Sequence, residues 1–305
     1  MEPLRRLVED GYNIVGVITA PDKPVGRHQN RLQASAVKEY AMQAGLPILQ
    51  PAKLKDEAFL QQLRALRADL QIVVAFRMLP EEVWAMPRLG TFNIHASLLP
   101  QYRGAAPINW AIINGDNETG LTAFFLRHDI DTGDIIDQVK TPISPDCTFG
   151  ELHDTLMKQS SDLTIRVVNQ ILEGKVRTVP QSAIQQDAPL RPAPKIFKET
   201  CRIDITKPLA TVYNFVRGLS PAPGAWAQLA SEAGEQEIKI FKAQKIESDH
   251  HLDAGSIVTD HRKHLDIALQ GGYLRILELQ LSGKKRMPVT AFLNGYKFHG
   301  TERIK

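Results

Sequence analysis

The sequence predicts an α/β protein in which a doubly wound, mostly parallel sheet is followed by a small antiparallel β-barrel. Strand-like and helix-like segments alternate through the first half of the 305-residue chain, which is typical of a sheet covered by helices. Short strand-like segments separated by turns dominate the last third. Between them, residues 180–200 contain four prolines and little periodicity, as a linker does. We therefore expect a first domain at 1–180, a linker at 181–200 and a barrel domain at 201–305.

The elements of the first half follow from their residue patterns. Predicted strands are apolar and rich in β-branched residues, and they are expected at 13–20, 47–50, 69–76, 91–97, 119–126 and 133–143. Predicted helices have a 3.6-residue apolar period, and they are expected at 35–45, 56–67, 106–116 and 149–173. The run at 69–76 is almost continuously apolar, which indicates a strand covered on both faces.

The start of the chain lacks an element that such sheets usually have. Pro3 stands in the first turn of a predicted helix, so the first predicted strand, 13–20, has no strand before it to complete a right-handed crossover. We therefore expect the sequence to begin downstream of its natural start and to lack its first strand.

After the linker, one helix is expected at about 207–218, and the strand-like segments EIKIFKAQKI, GSIVTD, LDIALQ and GYLRILELQL follow it. Turns that contain Gly or Asp separate these segments, which favours antiparallel pairing in a small barrel.

Composition excludes several classes of protein. No apolar run reaches the roughly 18 residues that a membrane helix needs, and the N-terminus becomes charged too early for a signal peptide. With two cysteines, neither a disulfide scaffold nor a four-thiolate zinc site is possible, so we expect a cytoplasmic protein. The usual phosphate-binding glycine motifs and the G-x-S-x-G nucleophile motif are missing from the sequence. The histidines between 250 and 264 fit a solvated hairpin better than a metal site.

Positive charge is concentrated towards the C-terminus. Residues 191–305 hold 18 Lys and Arg against 12 Asp and Glu, a net charge of +6, whereas residues 1–190 have a net charge of −3. Basic residues also group in three segments, at 21–33, at 191–198 and at 283–286. Each group alone is typical of a solvated surface, but together they could follow a phosphate backbone, which requires charge rather than sequence order.

The densest candidate for chemistry is TFNIHASLLPQYRGAAPINW, residues 91–110. Asn93 and His95 are two residues apart, so in a strand both side chains leave the same face near its C-terminal end, where open α/β sheets bind ligands. An amide donor beside an imidazole can stabilise a developing oxyanion and transfer a proton. The spacing fits equally well a buried pair that only satisfies loop backbone groups.

A second candidate is RHDIDTGD, residues 127–134, which carries Asp129, Asp131 and Asp134 around a glycine. A carboxylate brought against His95 would orient the ring and stabilise its charged form. In isolation the segment fits an acidic turn better, because Asp and Gly favour turns.

Together, NIHASLLPQYRGAAPI and DIDTGD resemble the folate-dependent formyltransferases, and within them the methionyl-tRNA formyltransferases. The likeness extends through PDKPVGR, QIVVAF, KIFKETCRID, RGLSPAPGAW and SGKK, over nearly the whole chain. The resemblance implies a Rossmann-like formyltransferase fold with an OB-like barrel. It also implies transfer of the formyl group of 10-formyltetrahydrofolate to the α-amino group of methionyl initiator tRNA, with no metal.

Residue by residue, the resemblance implies three groups of functional side chains. They are a catalytic trio of Asn93, His95 and Asp131, a folate-contacting stretch of Ser97, Leu98, Leu99 and Pro100, and tRNA contacts at Arg27 and Lys195. Two features depart from the family: the opening strand with its Gly-Thr-Pro-x-Phe loop is absent, and VVAFRMLP is one residue shorter than the corresponding run.

Two other functions remain open at this point. A relative that formylates a small amine would keep the same trio, although the basic last third argues against it. A non-catalytic tRNA-binding protein would follow from loss of the first strand, and it would bind RNA in a salt-sensitive way without turnover. Whichever of these functions the protein has, we expect a monomer that does not associate with membranes.

Overall fold

The computed structural model describes residues 1–25, 31–74, 77–185 and 188–305. By the density of contacts the chain divides into two compact units. The first comprises Met1–Arg103, Gly120–Lys140 and Thr155–Arg191, and the second comprises Gly104–Thr119, Thr141–Asp154 and Pro192–Lys305. The domain limits expected from the sequence stay a prediction.

The helices and strands alternate in the first half, as the sequence pattern predicts. The helices are α1 Glu2–Glu9, α2 Ala36–Gln43, α3 Glu57–Ala65, α4 Glu81–Trp84, α5 Pro107–Ile113, α6 Phe149–Leu172, α7 Leu209–Gly218 and α8 Val289–Gly295. The strands up to α6 are β1 Val17–Ile18, β2 Lys23–Val25, β3 Arg31–Gln33, β4 Ile48–Leu49, β5 Gln71–Val74, β6 Thr91–His95, β7 Glu118–Phe125 and β8 Ile135–Pro142. The later strands are β9 Ala225–Ser231, β10 Gly234–Glu247, β11 Ile257–Thr259, β12 Leu265–Leu269, β13 Gly272–Leu281, β14 Met287–Pro288 and β15 Arg303–Ile304.

Capping side chains explain where the helices begin. The hydroxyl of Ser35 accepts a hydrogen bond from the backbone N–H of Lys38 at 3.2 Å, and α2 starts directly after Ser35, at Ala36. The carboxylate of Asp56 accepts from the N–H of Ala58 at 2.9 Å and starts α3 in the same way. Within the described residues, the structure contains no helix with both the length and the apolar character needed to cross a membrane.

The sheets of the first unit position the strand that carries Asn93 and His95. Strands β1 and β4 pair in parallel, and β5, β6, β7 and β8 form a four-stranded sheet in that order. Strand β5 is parallel to β6, so both end at the same edge, whereas β7 is antiparallel to β6 with Thr122 opposite His95. The buried side chains of Phe92 and Phe124 contribute to the core. The doubly wound fold is thus confirmed, with an antiparallel step at β7.

Strand β1 is much shorter than the 13–20 run that the sequence predicts. Only Val17 and Ile18 have ladder partners, Ile48 and Leu49 of β4. An apolar pattern indicates that a segment is able to form a strand, but the observed length depends on where a neighbouring strand supplies hydrogen bonds.

The second unit contains the predicted antiparallel barrel. Its strands follow the order β11–β12–β13–β10–β9–β15, with β14 beside β13. The two outer strands approach each other through a bridge between Ser256 and Arg303, and the N–H of Ile304 donates to the carbonyl of Gly255 at 2.8 Å. The sheet therefore nearly closes on itself, which leaves little exposed strand edge.

Candidate active site

The candidate site begins at the C-terminal end of β6. Because side chains alternate along a strand, Asn93 and His95 leave the sheet on one face. His95 is 6% exposed. The Oδ1 atom of Asn93 is buried and is one of three such side-chain atoms in the described part of the chain that have no hydrogen-bond partner. An unsatisfied buried amide at the end of a sheet strand is the kind of group that a ligand completes.

The imidazole of His95 is oriented by the main chain. Its Nε2 atom lies 2.8 Å from the carbonyl oxygen of Tyr102, and because a carbonyl only accepts, Nε2 carries a hydrogen and donates it. Tyr102 has a positive φ of 60°, and its own N–H donates to the carbonyl of Arg191 at 2.8 Å. The other ring nitrogen, Nδ1, faces Asp131 with 3.7 Å between Nδ1 and Oδ2. That separation allows electrostatic attraction but is too long for a direct hydrogen bond.

The loop between β7 and β8 brings Asp131 to this ring from the far end of β6. The loop starts beside Thr91, where the N–H of Leu126 donates to the Thr91 carbonyl at 2.8 Å, and Asp131 nevertheless reaches His95 at the other end of the strand. Asp131 has a φ of 55°, in the left-handed region. A Cβ at Gly133 would lie 1.6 Å from the carbonyl oxygen of Phe125, so this close crossing of the loop requires glycine.

The three carboxylates of this loop have different surroundings. Asp134 forms an ion pair with Arg127, Asp129 is exposed, and Asp131 is mostly buried against His95. The acidic-turn interpretation therefore describes part of the segment, while one of its aspartates lies beside the imidazole.

A glutamine from the segment after α6 holds the same loop. The Nε2 atom of Gln181 donates to the carbonyl oxygens of Asp131 and Gly133, at 2.8 and 2.9 Å. Its Oε1 atom accepts two hydrogen bonds from Arg103, from Nε at 3.0 Å and from Nη2 at 2.6 Å. Gln181 is 5% exposed, and all four residues in these contacts belong to the first unit.

The Ser97–Pro100 stretch is largely buried. Ser97 is fully buried and donates to the Gln101 carbonyl at 2.6 Å, Leu99 is 1% exposed, and Pro100 is buried after a cis peptide bond. Leu98 is partly exposed. Of the four residues expected to contact folate, Leu98 is therefore the one whose side chain is partly accessible.

Two polar side chains fix the main chain of this stretch. The Oγ1 atom of Thr122 donates to the carbonyl of Ser97 at 2.6 Å and accepts from the N–H of Leu99 at 3.0 Å. Gln138 donates to both the Leu99 carbonyl, at 3.0 Å, and Thr122 Oγ1, at 2.8 Å. The backbone after His95 is thus held by side chains from β7 and β8.

Of the two residues expected to contact tRNA, one belongs to the second unit and the other is not described. Arg27 lies outside the described residues. Lys195 is exposed in the second unit, with its Nζ atom 5.3 Å from the centre of the Phe197 ring, and that ring is 55% exposed. An exposed cation beside an exposed aromatic ring is a combination that binds nucleic acids.

Sequence reasoning missed Tyr102, Arg103, Thr122, Gln138 and Gln181. Tyr102 and Arg103 lie inside the motif that carries the family resemblance, so that motif is a signal that could have pointed to them. Gln181 follows Pro180 in the expected linker, and no local pattern distinguishes it from its neighbours. In the described ranges, no group of three or more His, Cys, Asp or Glu side chains is placed to hold a metal ion.

Comparison with known proteins gives consistent matches over both units. Residues 4–168 match the family model described as "Formyl transferase", and residues 195–297 match "Formyl transferase, C-terminal domain". The chain is 61% identical over 299 residues to a protein named methionyl-tRNA formyltransferase from Parabacteroides distasonis, covering 97% of this chain and 92% of that relative. It is 58% identical over 306 residues to a protein of the same name from Bacteroides fragilis, covering 100% of this chain and 94% of the relative.

A solved structure shows the same fold at low sequence identity. It is an N-formyltransferase from Helicobacter canadensis in complex with folinic acid and dTDP-3-aminofucose. The TM-score is 0.63 with 16% identity, over 93% of this chain and 94% of that one. At this identity the likeness concerns the fold alone.

Proposed function

The chain belongs to the formyl transferase family, and from that premise we propose that it transfers the formyl group of 10-formyltetrahydrofolate to the α-amino group of methionyl initiator tRNA. The observation that carries the proposal is the approach of His95 Nδ1 to Asp131 Oδ2, at 3.7 Å, on the face of the sheet that also bears Asn93. The name shared by relatives at 58 and 61% identity supports tRNA as the acceptor.

The proposed reaction needs stabilisation of negative charge and movement of one proton. The amine attacks the formyl carbon as the neutral base, and since a free α-amino group has a pKa of about 8, producing that form costs little. A bond forms between the amine nitrogen and the formyl carbon, the bond from that carbon to the folate nitrogen breaks, and the proton lost by the amine goes to the folate nitrogen. During attack the formyl oxygen becomes negatively charged.

The trio is suited to these two tasks. The Nδ2–H of Asn93 and the Nδ1–H of a protonated His95 would donate hydrogen bonds to the charged oxygen. Nδ1 is the relevant ring nitrogen because Nε2 is already bound to the Tyr102 carbonyl. The 3.7 Å gap to Asp131 leaves Nδ1 available to the substrate while the carboxylate stabilises the charged ring and assists the proton on its path.

The surroundings of the trio fit a folate donor. Folate supplies a formyl carbon attached to nitrogen, and the unsatisfied Oδ1 atom of Asn93 is an acceptor that an N–H at the reacting end would complete. Leu98 would contribute an apolar side chain, whereas Ser97, Leu99 and Pro100 would contact folate through the main chain because their side chains are buried. Thr122 and Gln138 hold that main chain in place.

On the tRNA side, we propose that Lys195, together with Arg27, contacts the RNA backbone. Lys195 is exposed and lies in the region of the chain where positive charge is concentrated. We also propose that the enzyme works as a monomer in the cytoplasm without a metal, and sedimentation of the purified protein tests the oligomeric state.

Formylation of charged initiator tRNA by the full chain tests the function directly. The protein is given 10-formyltetrahydrofolate with a labelled formyl group and initiator tRNA charged with methionine, and formylmethionyl-tRNA is separated from free label. We expect turnover that falls about 100- to 10,000-fold with His95→Ala. Formylation of a free amino sugar but not of the tRNA would reassign the substrate, and tRNA binding without any turnover would reject the enzyme assignment.

Lys195→Ala tests the RNA contact. We expect weaker tRNA binding, and a plot of the log of the tRNA binding constant against log salt concentration whose slope is smaller in magnitude by about one. The affinity for folate should be unchanged. An unchanged salt slope would remove Lys195 from the interface.

A further inference from the structure

We infer that Gln181, held in one orientation by Arg103, is a positioning residue that sets the place of Asp131 beside His95. The inference deepens the proposed function and rests on it, because its readout is the rate of formyl transfer. It assigns a role in catalysis to the beginning of the linker, which sequence analysis treats only as a connection and a tRNA contact. Gln181 touches neither reacting group, and it acts through the backbone of the loop.

The Gln181 amide can adopt only one orientation. Arg103 donates two hydrogen bonds to Oε1, and a guanidinium can only donate. The oxygen of the amide must therefore face Arg103, and the NH₂ group must face the two loop carbonyls, at 2.8 and 2.9 Å. The reverse orientation would place the NH₂ group against the guanidinium of Arg103, and Oε1 against the two carbonyl oxygens of the loop. Arg103 thereby fixes which end of Gln181 meets the loop.

The NH₂ group of Gln181 holds the backbone of the loop at two points. Its two acceptors are the carbonyls of Asp131 and Gly133, so the peptide groups that follow these two residues are both fixed. Asp131 stands in the left-handed region at φ 55°, which costs energy for a residue with a side chain and persists only where the surroundings enforce it. Two donated hydrogen bonds in a buried position supply that enforcement.

The distance between Asp131 and His95 depends on the loop that carries Asp131. The Oδ2 atom of Asp131 lies 3.7 Å from Nδ1 of His95, and the imidazole is itself fixed by the hydrogen bond from its Nε2 to the Tyr102 carbonyl. The position of the carboxylate is therefore set from the side of the loop. A displacement of about 1 Å at a reacting group can change a rate by roughly 100-fold. Gln181 is thus placed to control the rate without contacting substrate.

The experiment replaces the amide in two ways in the full-length protein. Gln181→Met removes both the acceptor for Arg103 and the donors to the loop. Gln181→Glu keeps the acceptor for Arg103 but removes the donors and turns a carboxylate towards two carbonyl oxygens. For both variants we expect kcat for formylation of methionyl-tRNA to fall about 10- to 100-fold, with KM for folate and for tRNA changed by less than about 3-fold. Wild-type kcat in Gln181→Glu would overturn the inference.

A double-mutant cycle with Asp131→Asn separates positioning from general stability. If Gln181 acts through Asp131, Gln181→Met should lower kcat by less than about 2-fold once Asp131 has been replaced by Asn. Equal fold-losses in both backgrounds would mean that Gln181 only supports the fold, and the inference would fail. Tyr12→Phe is the matched control, because it removes a tertiary hydrogen bond to Asn169 in the same unit, and we expect unchanged kcat.

Arg103→Lys provides a second route if a Gln181 variant does not fold. Lysine keeps the charge but cannot form the two-nitrogen fork, so we expect a loss in kcat of about 3- to 10-fold, again without a matching change in KM. A wild-type rate for this variant would contradict the role given to Arg103. Should the unmodified protein itself fail to formylate methionyl-tRNA, the proposed function fails first, which distinguishes the two outcomes.

Discussion

Two carboxylates, one in each unit and each beside a basic side chain, show how a carboxylate placed for stability differs from one placed for chemistry. In the barrel, Asp266 and Arg275 stand opposite each other on β12 and β13 and form two parallel hydrogen bonds, each 2.8 Å long. In the first unit, Asp131 and His95 approach through one pair of atoms at 3.7 Å. Both carboxylates are mostly buried, with 10% and 12% of their side-chain surface exposed.

The difference lies in how much hydrogen-bonding capacity is already used. The bidentate pair in the barrel satisfies both carboxylate oxygens with one guanidinium, and this raises the pKa of Arg275. In the candidate site, Nδ1 of His95 has no direct hydrogen bond to the carboxylate, and Oδ1 of the nearby Asn93 has no partner. The bidentate pair stabilises the fold, whereas Nδ1 of His95 and Oδ1 of Asn93 remain able to bind a substrate.

The largest effect is expected from removing the imidazole. His95→Ala should lower kcat for formyl transfer by about 100- to 10,000-fold, because both charge stabilisation and proton transfer are lost. The affinity for tRNA, measured by filter binding, should stay within about 2-fold. A variant that keeps more than a tenth of the wild-type kcat would show that the pair is structural after all.

A smaller loss of activity is expected at the unsatisfied amide. Asn93→Ala should lower kcat by about 100- to 1,000-fold, the usual effect of losing one oxyanion donor, here the Nδ2–H group. Because the Oδ1 atom is buried without a partner, its removal should leave the free energy of unfolding unchanged or slightly higher. Denaturant unfolding beside the kinetic assay checks both, and a clear loss of stability with intact kcat would contradict this interpretation of Asn93.

The barrel pair should behave in the opposite way. Arg275→Met leaves Asp266 mostly buried without its cation, and we expect a loss of about 1–3 kcal/mol in the free energy of unfolding, with kcat within 2-fold of wild type. Urea unfolding followed by far-ultraviolet circular dichroism measures the loss. A kcat well below the wild-type value, measured under conditions where the variant is folded, would contradict the interpretation that this pair serves stability alone.

The smallest effect concerns a third carboxylate, which is satisfied without any cation. Asp260 accepts hydrogen bonds from the backbone N–H groups of His264, Lys263 and Arg262, which lower its pKa. A lowered pKa stabilises the folded state above the unfolded pKa of about 3.9, and this contribution is lost as the pH falls through the folded pKa.

Asp260→Asn should therefore be less stable than wild type at pH 7, with a difference that shrinks below about pH 4. Urea midpoints measured at pH 7 and pH 3 test this. A difference that grows on acidification would have the wrong sign.

Several features of the fold could be predicted because they depend on nearby residues. Ser35 and Asp56 stand at the starts of α2 and α3, where their side chains cap the first turn. The shared face of Asn93 and His95 follows from the two-residue period of a strand. Strand lengths were less predictable: the run at 13–20 contains only Val17–Ile18 as paired strand, because the pattern does not say where a neighbour begins.

The amino-acid sequence by itself determined the kind and order of the elements, the position of the imidazole and amide at a strand end, and the family. The family resemblance singled out Asp131, but only the tertiary structure decided how its carboxylate comes to lie against His95 while Asp134 pairs with Arg127, and that Gln181 holds the loop. The physical reason is that β7 runs antiparallel to β6. The loop therefore starts beside Thr91, at the end of β6 opposite to His95. Its course back to His95 depends on contacts between residues about 50 positions apart, which local propensities do not encode.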